Sequence, residues 1–275
     1  MRDAPDRTNA TPPRRVDAPR GVLKGAMVPT RHVRYLPSPT LAHWVEHVWC
    51  IGWDLRDRAR FAAETLPHPS VHLVFERHRA PDVQGVLRGR FTRVLEGSGE
   101  AIWVKFRPGA FTAFDTAPAR DRVDRRIAAA EVFGDAVIAA SEAVHASPDD
   151  DARVAAVEAF LLAREPARDG RIDRIARLIE ACVHDRALTQ VAQLARIDGG
   201  SVRDVQRLSA AMVGITPKWM IQRYRLHEAI AQLERAGSHD WADPAALLGY
   251  ADQAHFILDV RTGGRCTPAQ YTRRT

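Results

Sequence analysis

A long helical segment near the carboxyl terminus constrains the fold of this chain more than any other feature. It begins after the break at Thr216–Pro217 and extends to about Ala236, because its apolar positions recur at helical spacing. Those positions are Trp219, Leu226, Ile230 and Leu233. About 18 residues at 1.5 Å each give a rod of about 27 Å. Shorter helical patterns with Gly-containing turns lie on both sides of it, which predicts an all-helical carboxyl-terminal unit.

The pattern before the rod predicts two helices joined by a turn at Asp198–Gly200. Ser201 is expected to cap the second helix, and Asp204 lies at the third helical position, where a carboxylate interacts favourably with free backbone amides. The predicted core side of this second helix consists of Val202, Val205, Leu208 and Met212. The predicted outer side consists of Arg203, Gln206, Arg207 and Ala210.

A second pair of helices is predicted after the rod. Asp243–Pro244 has the form of a cap followed by a first-turn proline, which opens a short helix as far as Leu248. Gly249–Tyr250 then turns the chain, and residues 252–260 form the second helix of the pair. The whole stretch therefore predicts two helix–turn–helix units, one at each end of the rod.

The segments TPKWMIQRYRLHEAIAQL, LLGYADQAHF and TPAQY closely resemble the carboxyl-terminal domain of AraC-type (AraC/XylS) transcriptional regulators. The resemblance covers about residues 171–272. It implies two helix–turn–helix units joined by one long helix, and sequence-specific binding to double-stranded DNA. A rod of about 27 Å is close to one DNA turn of about 34 Å, so it would hold two recognition helices in successive major grooves.

The residues expected at the DNA come from all three parts of this unit. The first recognition helix is expected to contribute Ser201, Arg203, Gln206 and Arg207, since Arg and Gln suit guanine, adenine and phosphate. The rod is expected to contribute Arg223 and Arg225, with an ion pair to Glu228 or Asp252 as the alternative. The second recognition helix is expected to contribute Gln253 and His255, although His255 would equally brace the turn.

The chain departs from the AraC-type pattern at a few positions. Ser209 and Val260 stand where the family commonly has Phe, and Leu258 stands where it has a basic residue. Arg265 replaces a common Gly. We therefore expect the second unit to bind DNA weakly, and the first unit to supply most of the base discrimination.

The middle of the chain predicts an antiparallel β-rich domain. From Trp49 to Phe106 the apolar period is close to two, and Gly and Pro residues separate the short runs. The segments LPHPSVHLVFE and VKFRPGAF resemble the cupin-like amino-terminal domain of one group of AraC-type regulators, over about residues 31–135. That resemblance implies an effector-sensing or dimerisation domain. The effector-binding candidates are Trp49, Trp53 and Arg107, with Trp44 and Trp103 nearby and a packed aromatic core as the alternative.

These patterns predict an α+β chain with four parts. Residues 1–30 form a disordered basic tail, with Met27 as an alternative start, and residues 31–135 form the cupin-like domain with flanking helices. Residues 136–170 form a helical linker that ends in the Pro- and Gly-containing boundary Glu165–Gly170. Residues 171–275 form the double helix–turn–helix domain. Helical spacing further predicts a helix after Ser38–Pro39, and helices from about Asp121 onward that include Ile127.

Charge and composition agree with a DNA-binding protein. The net charge is +6, and the residues after position 170 include 15 basic and 11 acidic side chains. This excess of positive charge is too small for an affinity that depends on phosphate contacts alone. No apolar run approaches the roughly 20 residues of a membrane span. The three cysteines lie far apart, which favours a reducing cytoplasm over a disulfide framework. RNA polymerase and a second copy of the chain are further candidate partners.

An enzyme is the alternative that the residues leave open. His68, His72 and Glu76 repeat every four residues and would share one side of a strand, so a cupin-like metal-dependent enzyme or effector-binding protein with an accessory DNA-binding domain stays a candidate. The chain has no GxSxG, P-loop, HExxH or GxGxxG motif. We therefore expect no catalytic residue, no metal ligand and no cofactor.

Overall fold

The computed structural model describes residues 15–16, 30–89 and 91–236. The strands are β1 (Arg15–Val16), β2 (Thr30–Tyr35), β3 (Val45–Leu55), β4 (Phe61–Thr65), β5 (His72–Glu76), β6 (Asp82–Gln84), β7 (Phe91–Leu95), β8 (Gly97–Phe106) and β9 (Arg126–Ala128). The α-helices are α1 (Ala130–Phe133), α2 (Ala136–Ala146), α3 (Asp150–Leu162), α4 (Gly170–His184), α5 (Val191–Asp198), α6 (Val202–Met212) and α7 (Pro217–Ala236). We call residues 30–162 the amino-terminal half and residues 170–236 the helical half.

The amino-terminal half is built on one large antiparallel sheet with the order β1-β2-β3-β8-β5-β6-β9. The long strands β3 and β8 form its centre, and Trp49 lies opposite Trp103 in their register. A separate two-stranded sheet consists of β4 and β7. The antiparallel β-rich half and the helical carboxyl-terminal half predicted from the sequence are thus confirmed.

The two faces of the large sheet have different chemistry, because successive side chains of a strand point to opposite sides. One face is apolar and fully buried, with Val48, Val104 and Leu73 at its centre. Helices α1 to α3 belong to the core on this side, where Phe75 contacts Phe160 at 6.4 Å between ring centroids. Helices α2 and α3 therefore pack on the sheet, although the sequence predicts a linker there.

The other face, which we call the polar–aromatic face, consists of His47, Trp49, His72, Glu76, Trp103 and Lys105. Strand β7 covers part of it. Phe91 contacts Trp103 at 5.6 Å between ring centroids, and Arg93 forms an ion pair with Glu76. The β4–β7 sheet thus closes one side of a sandwich whose inner surface is polar and aromatic.

Three local predictions are wrong. Ser38 begins a hydrogen-bonded turn rather than a helix, because Val45 enters β3 and pairs with Phe106 across the sheet. Ile127 lies in β9, opposite Val83, where edge pairing in the sheet overrides its helical spacing. Within the predicted disordered tail, the segment Arg15–Val16 pairs with β2.

The helical half follows the sequence pattern closely. Asp169 caps α4 through its side chain, which accepts a hydrogen bond from Arg171 N. The buried side of α4 is Ile172, Ile175, Leu178, Ile179 and Cys182. α7 is 20 residues long, about 30 Å at 1.5 Å per residue. Within the described ranges, no helix has the length and apolar content that a membrane crossing requires.

Candidate DNA-binding surface

The α5–turn–α6 unit is held in shape by its own residues. Gly199 ends α5 with φ 74°, a left-handed conformation that glycine adopts without steric cost. Just before it, the buried Asp198 carboxylate forms a two-point ion pair with Arg174 of α4. Arg174 therefore ties the turn to the preceding helix, in a geometry that is stronger than a single contact.

Ser201 and Asp204 form the predicted capping box at the start of α6. The Asp204 amide donates to Ser201 Oγ at 3.1 Å, and the Ser201 amide donates to the Asp204 carboxylate at 3.2 Å. The same carboxylate accepts a 2.5 Å hydrogen bond from Arg207. Hydrogen bonding from Ser201 lowers the pKa of Asp204, and the charge of Arg207 lowers it further. The negative charge stays at the helix amino terminus, where the helix dipole favours it.

The outer side of α6 is exposed as the sequence predicts. Arg203, Gln206 and Arg207 all lie on the surface. Within the part of the chain that the structure describes, Arg203 forms no ion pair, whereas Arg207 is held by Asp204. Two cations and an amide therefore project from one face of a helix that follows a tight turn, which is the arrangement a recognition helix needs.

The buried side of α6 differs from the prediction at two positions. Val205, Leu208 and Met212 are buried, but Val202 is 38% exposed and does not face the core. A first-turn residue lies at the edge of the packed unit, so the helical period alone misplaces it. Ser209 is fully buried, and its hydroxyl donates to the Ile215 carbonyl at 2.6 Å. That hydrogen bond gives a structural role to the residue that stands where the family commonly has Phe.

The position of Arg223 corrects its predicted role as a phosphate contact. Its side chain is buried, lies over the Trp219 ring at 4.6 Å, and donates to the Arg88 carbonyl of the amino-terminal half. Burial lowers the pKa of this guanidinium to about 10. Arg223 thus joins α7 to the other half of the chain. Arg225 is half-buried, and its DNA contact stays a prediction.

Gln253 and His255 lie outside the described residues. The alternative ion pair of Glu228 with an arginine of the rod stays a prediction, and Glu228 accepts from Arg186 at 2.7 Å. This pair connects the end of α4 to α7. It is one of the contacts that hold the rod against the part of the chain that precedes the first helix–turn–helix unit.

Helix α7 also meets the loop between β4 and β5. The His68 ring stacks on His227 with centroids 4.3 Å apart and planes inclined by 12°, and Tyr224 lies 5.7 Å from His68. Burial lowers the pKa of His68 well below its ordinary value and that of His227 to about 3. Burial also raises the pKa of Tyr224. All three side chains are therefore uncharged at neutral pH.

On the polar–aromatic face, a hydrogen-bonded pair lies close to this stack. Lys105 donates to Glu46 at 2.8 Å, and His47 stacks on Trp49 at 5.0 Å between centroids. Burial opposes ionisation of Glu46, but hydrogen bonds with His47 and Lys105 outweigh it and lower the pKa. Burial lowers the pKa of His72 to about 3, and the charge of Lys105 adds to this. The face therefore combines the ion pairs Glu46–Lys105 and Glu76–Arg93 with neutral imidazoles and indoles.

The three effector-binding candidates do not lie together. Trp49 is half-buried on the polar–aromatic face, opposite Trp103. Trp53 lies at the other end of β3, where its indole donates to the Glu96 carbonyl at 3.2 Å. Arg107 faces Asp173 of α4 at 3.6 Å, and its role as an anion contact on the effector stays a prediction.

Trp44 is likewise separate from the polar–aromatic face. It is buried before β3, and its indole donates to the Ala167 carbonyl at 3.3 Å in the connection to α4.

His72 and Glu76 share the polar–aromatic face, as their spacing predicts. Within residues 15–16, 30–89 and 91–236, no group of three His, Cys, Asp or Glu side chains is arranged to hold a metal ion. Glu76 is engaged by Arg93 instead.

Sequence reasoning missed the residues that join the two halves. His68 and His227 are 159 positions apart, and neither has a local signal that points to the other. Gly214 is a further example, because its φ of 81° brings the α6–α7 turn against the backbone of Ala119. A Cβ added to Gly214 would lie 2.7 Å from the Ala119 carbonyl. The one sequence signal near this contact is a glycine directly after a helix, where a positive φ is common.

Two family models match the chain. One, described as a helix-turn-helix domain, matches residues 194–274, and the other, described as a domain of unknown function (DUF6597), matches residues 33–128. Among curated proteins, none matches the sequence significantly.

Solved structures of ToxT from Vibrio cholerae align over most of the chain. ToxT from strain O395 is 8% identical, with a TM-score of 0.40 over 92% of this chain and 96% of that one. Wild-type ToxT from strain SCE256 with bound unsaturated fatty acid is 9% identical, with a TM-score of 0.39 over 98% of each chain. The domain matches establish the class: the chain contains the AraC-type helix-turn-helix domain of a DNA-binding transcription regulator, preceded by a DUF6597 domain.

Proposed function

We propose that this regulator selects its DNA sites mainly through α6, whose exposed side enters the major groove. The observation that carries the proposal is the exposed set Arg203, Gln206 and Arg207 on a helix whose start is fixed by a capping box. Arg suits guanine and Gln suits adenine, each through two hydrogen bonds. The ion pair of Arg174 with Asp198 supports the same role, because it fixes the turn on which the helix is presented.

Specific binding is testable with the full chain. Fragments of the source genome are incubated with the protein, and the bound fragments are sequenced. A shared short motif is expected among them. Binding to a motif duplex and to its scrambled version is then measured at increasing salt, and the motif duplex is expected to keep an affinity advantage of at least about 10³-fold. Equal affinity for both duplexes at every salt concentration would instead indicate sequence-independent binding to phosphate.

We also propose a small-molecule effector site on the polar–aromatic face, beneath the β4–β7 sheet. Aromatic side chains with a few polar groups are typical of small-molecule sites, and Trp49, Trp103 and His72 provide such a lining beside the Glu46–Lys105 pair. Trp53 would lie at the far end of this face. An effector there would act on DNA binding through the nearby His68–His227 stack.

A thermal-shift screen of small organic acids, amines and aromatic compounds tests this site. A ligand at 100 times its Kd stabilises the folded protein by about 2.7 kcal/mol, which is a clear rise in Tm. The matched variants are Trp103→Ala, which is expected to abolish the shift, and Trp44→Phe, which is expected to retain it. If a ligand still raises the Tm of Trp103→Ala, that ligand binds elsewhere.

We further propose that the boundary near residues 165–170 separates a sensing unit from the DNA-binding unit. Residues 163–169 contain no helix or strand, and Asp169 caps the first helix of the DNA-binding unit. A second copy of this chain and RNA polymerase are the proposed protein partners. Sedimentation of the free protein and of its complex with the motif duplex measures whether one or two copies bind.

A further inference from the structure

The valine at the start of α6 has an apolar side chain on the surface proposed to face DNA. Val202 is 38% exposed, in the same helical turn as Arg203. We propose that Val202 contacts the 5-methyl group of a thymine in the major groove and thereby contributes to base specificity. This inference rests on the proposed function of α6, and it adds one base contact to it.

The place of Val202 in the fold points toward the groove. It is the first residue of α6, directly after the cap Ser201. Recognition helices contact base edges with their amino-terminal residues, and helical side chains point back toward the amino terminus. Gln206 follows four residues later, so that the two side chains are neighbours on the helix surface. Val202 and Gln206 therefore form one edge of the exposed side, beside Arg203.

Val202 is not part of the buried core of α6. The buried contacts of α6 come from Val205, Leu208 and Met212, while Val202 is outside the core cluster of the described residues. The helix start is fixed by Ser201 and Asp204, so the cap does not require Val202 either. Valine is also a weaker helix former than alanine, because its branched side chain loses rotamer freedom.

Valine selects a base by chemistry that differs from that of its neighbours. Thymine is the base that presents a methyl group in the major groove, and apolar side chains contact it. Valine forms no hydrogen bond, so a cytosine amino group beneath it would lose water without gaining a partner. Gln206, the adjacent side chain, suits adenine. We infer a site in which α6 covers a step that contains both thymine and adenine.

The experiment uses the full chain and a duplex obtained by the genomic selection. Each thymine of the motif is replaced in turn by deoxyuridine, which removes the methyl group and keeps the base pair. The wild-type protein is expected to lose about fourfold in affinity at one position, the contribution of one buried methyl group. The variant Val202→Ala is expected to bind the thymine and deoxyuridine duplexes equally at that position. The matched control is Val94→Ala, an exposed valine on β7, which is expected to keep the fourfold difference.

The outcomes separate this inference from the proposed function. If the protein binds the motif selectively but Val202→Ala changes the effect of no thymine methyl group, the methyl contact is overturned. The DNA-binding role of α6 then stays intact. Equal binding of the motif and scrambled duplexes overturns both. If Val202→Ala folds poorly, the deoxyuridine scan of the wild-type protein still overturns the contact when no thymine methyl affects the affinity. Val202→Thr, which retains one methyl group, is expected to keep part of the difference.

Discussion

The imidazole ring of His68, in the loop between β4 and β5, stacks on that of His227 in α7 with centroids 4.3 Å apart. The stack joins the amino-terminal half to the helix that follows the first recognition helix. Close to it, Arg223 of the same helix donates to the Arg88 carbonyl. Helix α7 therefore meets the amino-terminal half through neutral rings and a backbone acceptor, and both contacts depend on its exact placement.

The first prediction concerns pH. The pKa of His227 is about 3 in the folded protein and about 6.5 in the unfolded chain, and the pKa of His68 is also depressed on folding. Below pH 6.5 the unfolded chain thus binds more protons than the folded protein, so the free energy of unfolding decreases as the pH falls. His227 is expected to contribute a loss of about 1 kcal/mol at pH 5.5 relative to pH 7.5, and His68 adds a loss in the same direction.

Chemical denaturation at pH 7.5, 6.5 and 5.5 measures this loss. His227→Phe keeps an aromatic ring in the stack and is expected to reduce the pH dependence by about 1 kcal/mol over this range. The matched control is His184→Gln, which changes an exposed histidine of α4 and is expected to leave the pH dependence as it is. The same loss in wild type and His227→Phe would show that His227 does not carry the effect.

The second prediction concerns the contact between Gly214 and Ala119. Gly214→Ala would place a methyl group 2.7 Å from the Ala119 carbonyl, at φ 81°. It is expected to reduce the free energy of unfolding by more than about 2 kcal/mol, because backbone strain and a clash act together. Gly199→Ala is the matched control, since Gly199 has a similar φ of 74° with no atom within 4 Å of the added Cβ. Its expected loss is about 1 kcal/mol. Equal losses would show that the Ala119 contact adjusts without cost.

The third prediction separates a structural arginine from one at the phosphates. Arg207→Ala is expected to reduce the slope of log K against log salt by about 1 if Arg207 contacts a phosphate. Arg223→Ala is expected to leave that slope unchanged and to reduce the free energy of unfolding by about 1–3 kcal/mol, since a buried hydrogen bond to the Arg88 carbonyl is lost. A smaller salt slope for Arg223→Ala would mean that α7 leaves the amino-terminal half when DNA binds.

The fourth prediction concerns base selection by Arg203. Arg203→Ala is expected to weaken binding by about 1–3 kcal/mol, and to remove the preference at one position of the motif, if the guanidinium contacts a guanine. The matched control is Arg58→Ala, an exposed arginine of the amino-terminal half that is expected to leave binding unchanged. Uniform weakening on every duplex would place Arg203 at the phosphate backbone.

Local rules were sufficient for much of the helical half. The capping box of Ser201 and Asp204, the turn at Gly199, and the bounds of α7 all follow from residue type and spacing over a few positions. Period-two alternation likewise predicted the strands β3, β5 and β8. These features depend on backbone geometry within one element, so that neighbouring residues are enough to specify them.

Local rules failed where a distant partner decides the environment. The helical spacing around Ile127 was overridden by pairing with Val83, 44 positions earlier in the chain. Arg223, like other charged residues of a helix, was expected at the surface, yet it is buried because Trp219 and the Arg88 carbonyl surround its guanidinium. Val202 was expected in the core, and it is 38% exposed because it is the first residue of α6, at the edge of the packed unit.

By itself the sequence determined the helices of the helical half, the strands β3, β5 and β8, and which side chains α6 presents together. Spacing along one element sets those properties. Only the tertiary structure decided that His68 meets His227 and that Arg107 faces Asp173 of α4. Such contacts depend on how whole elements pack, and the free energy of packing is shared among many distant residues rather than encoded in any one of them.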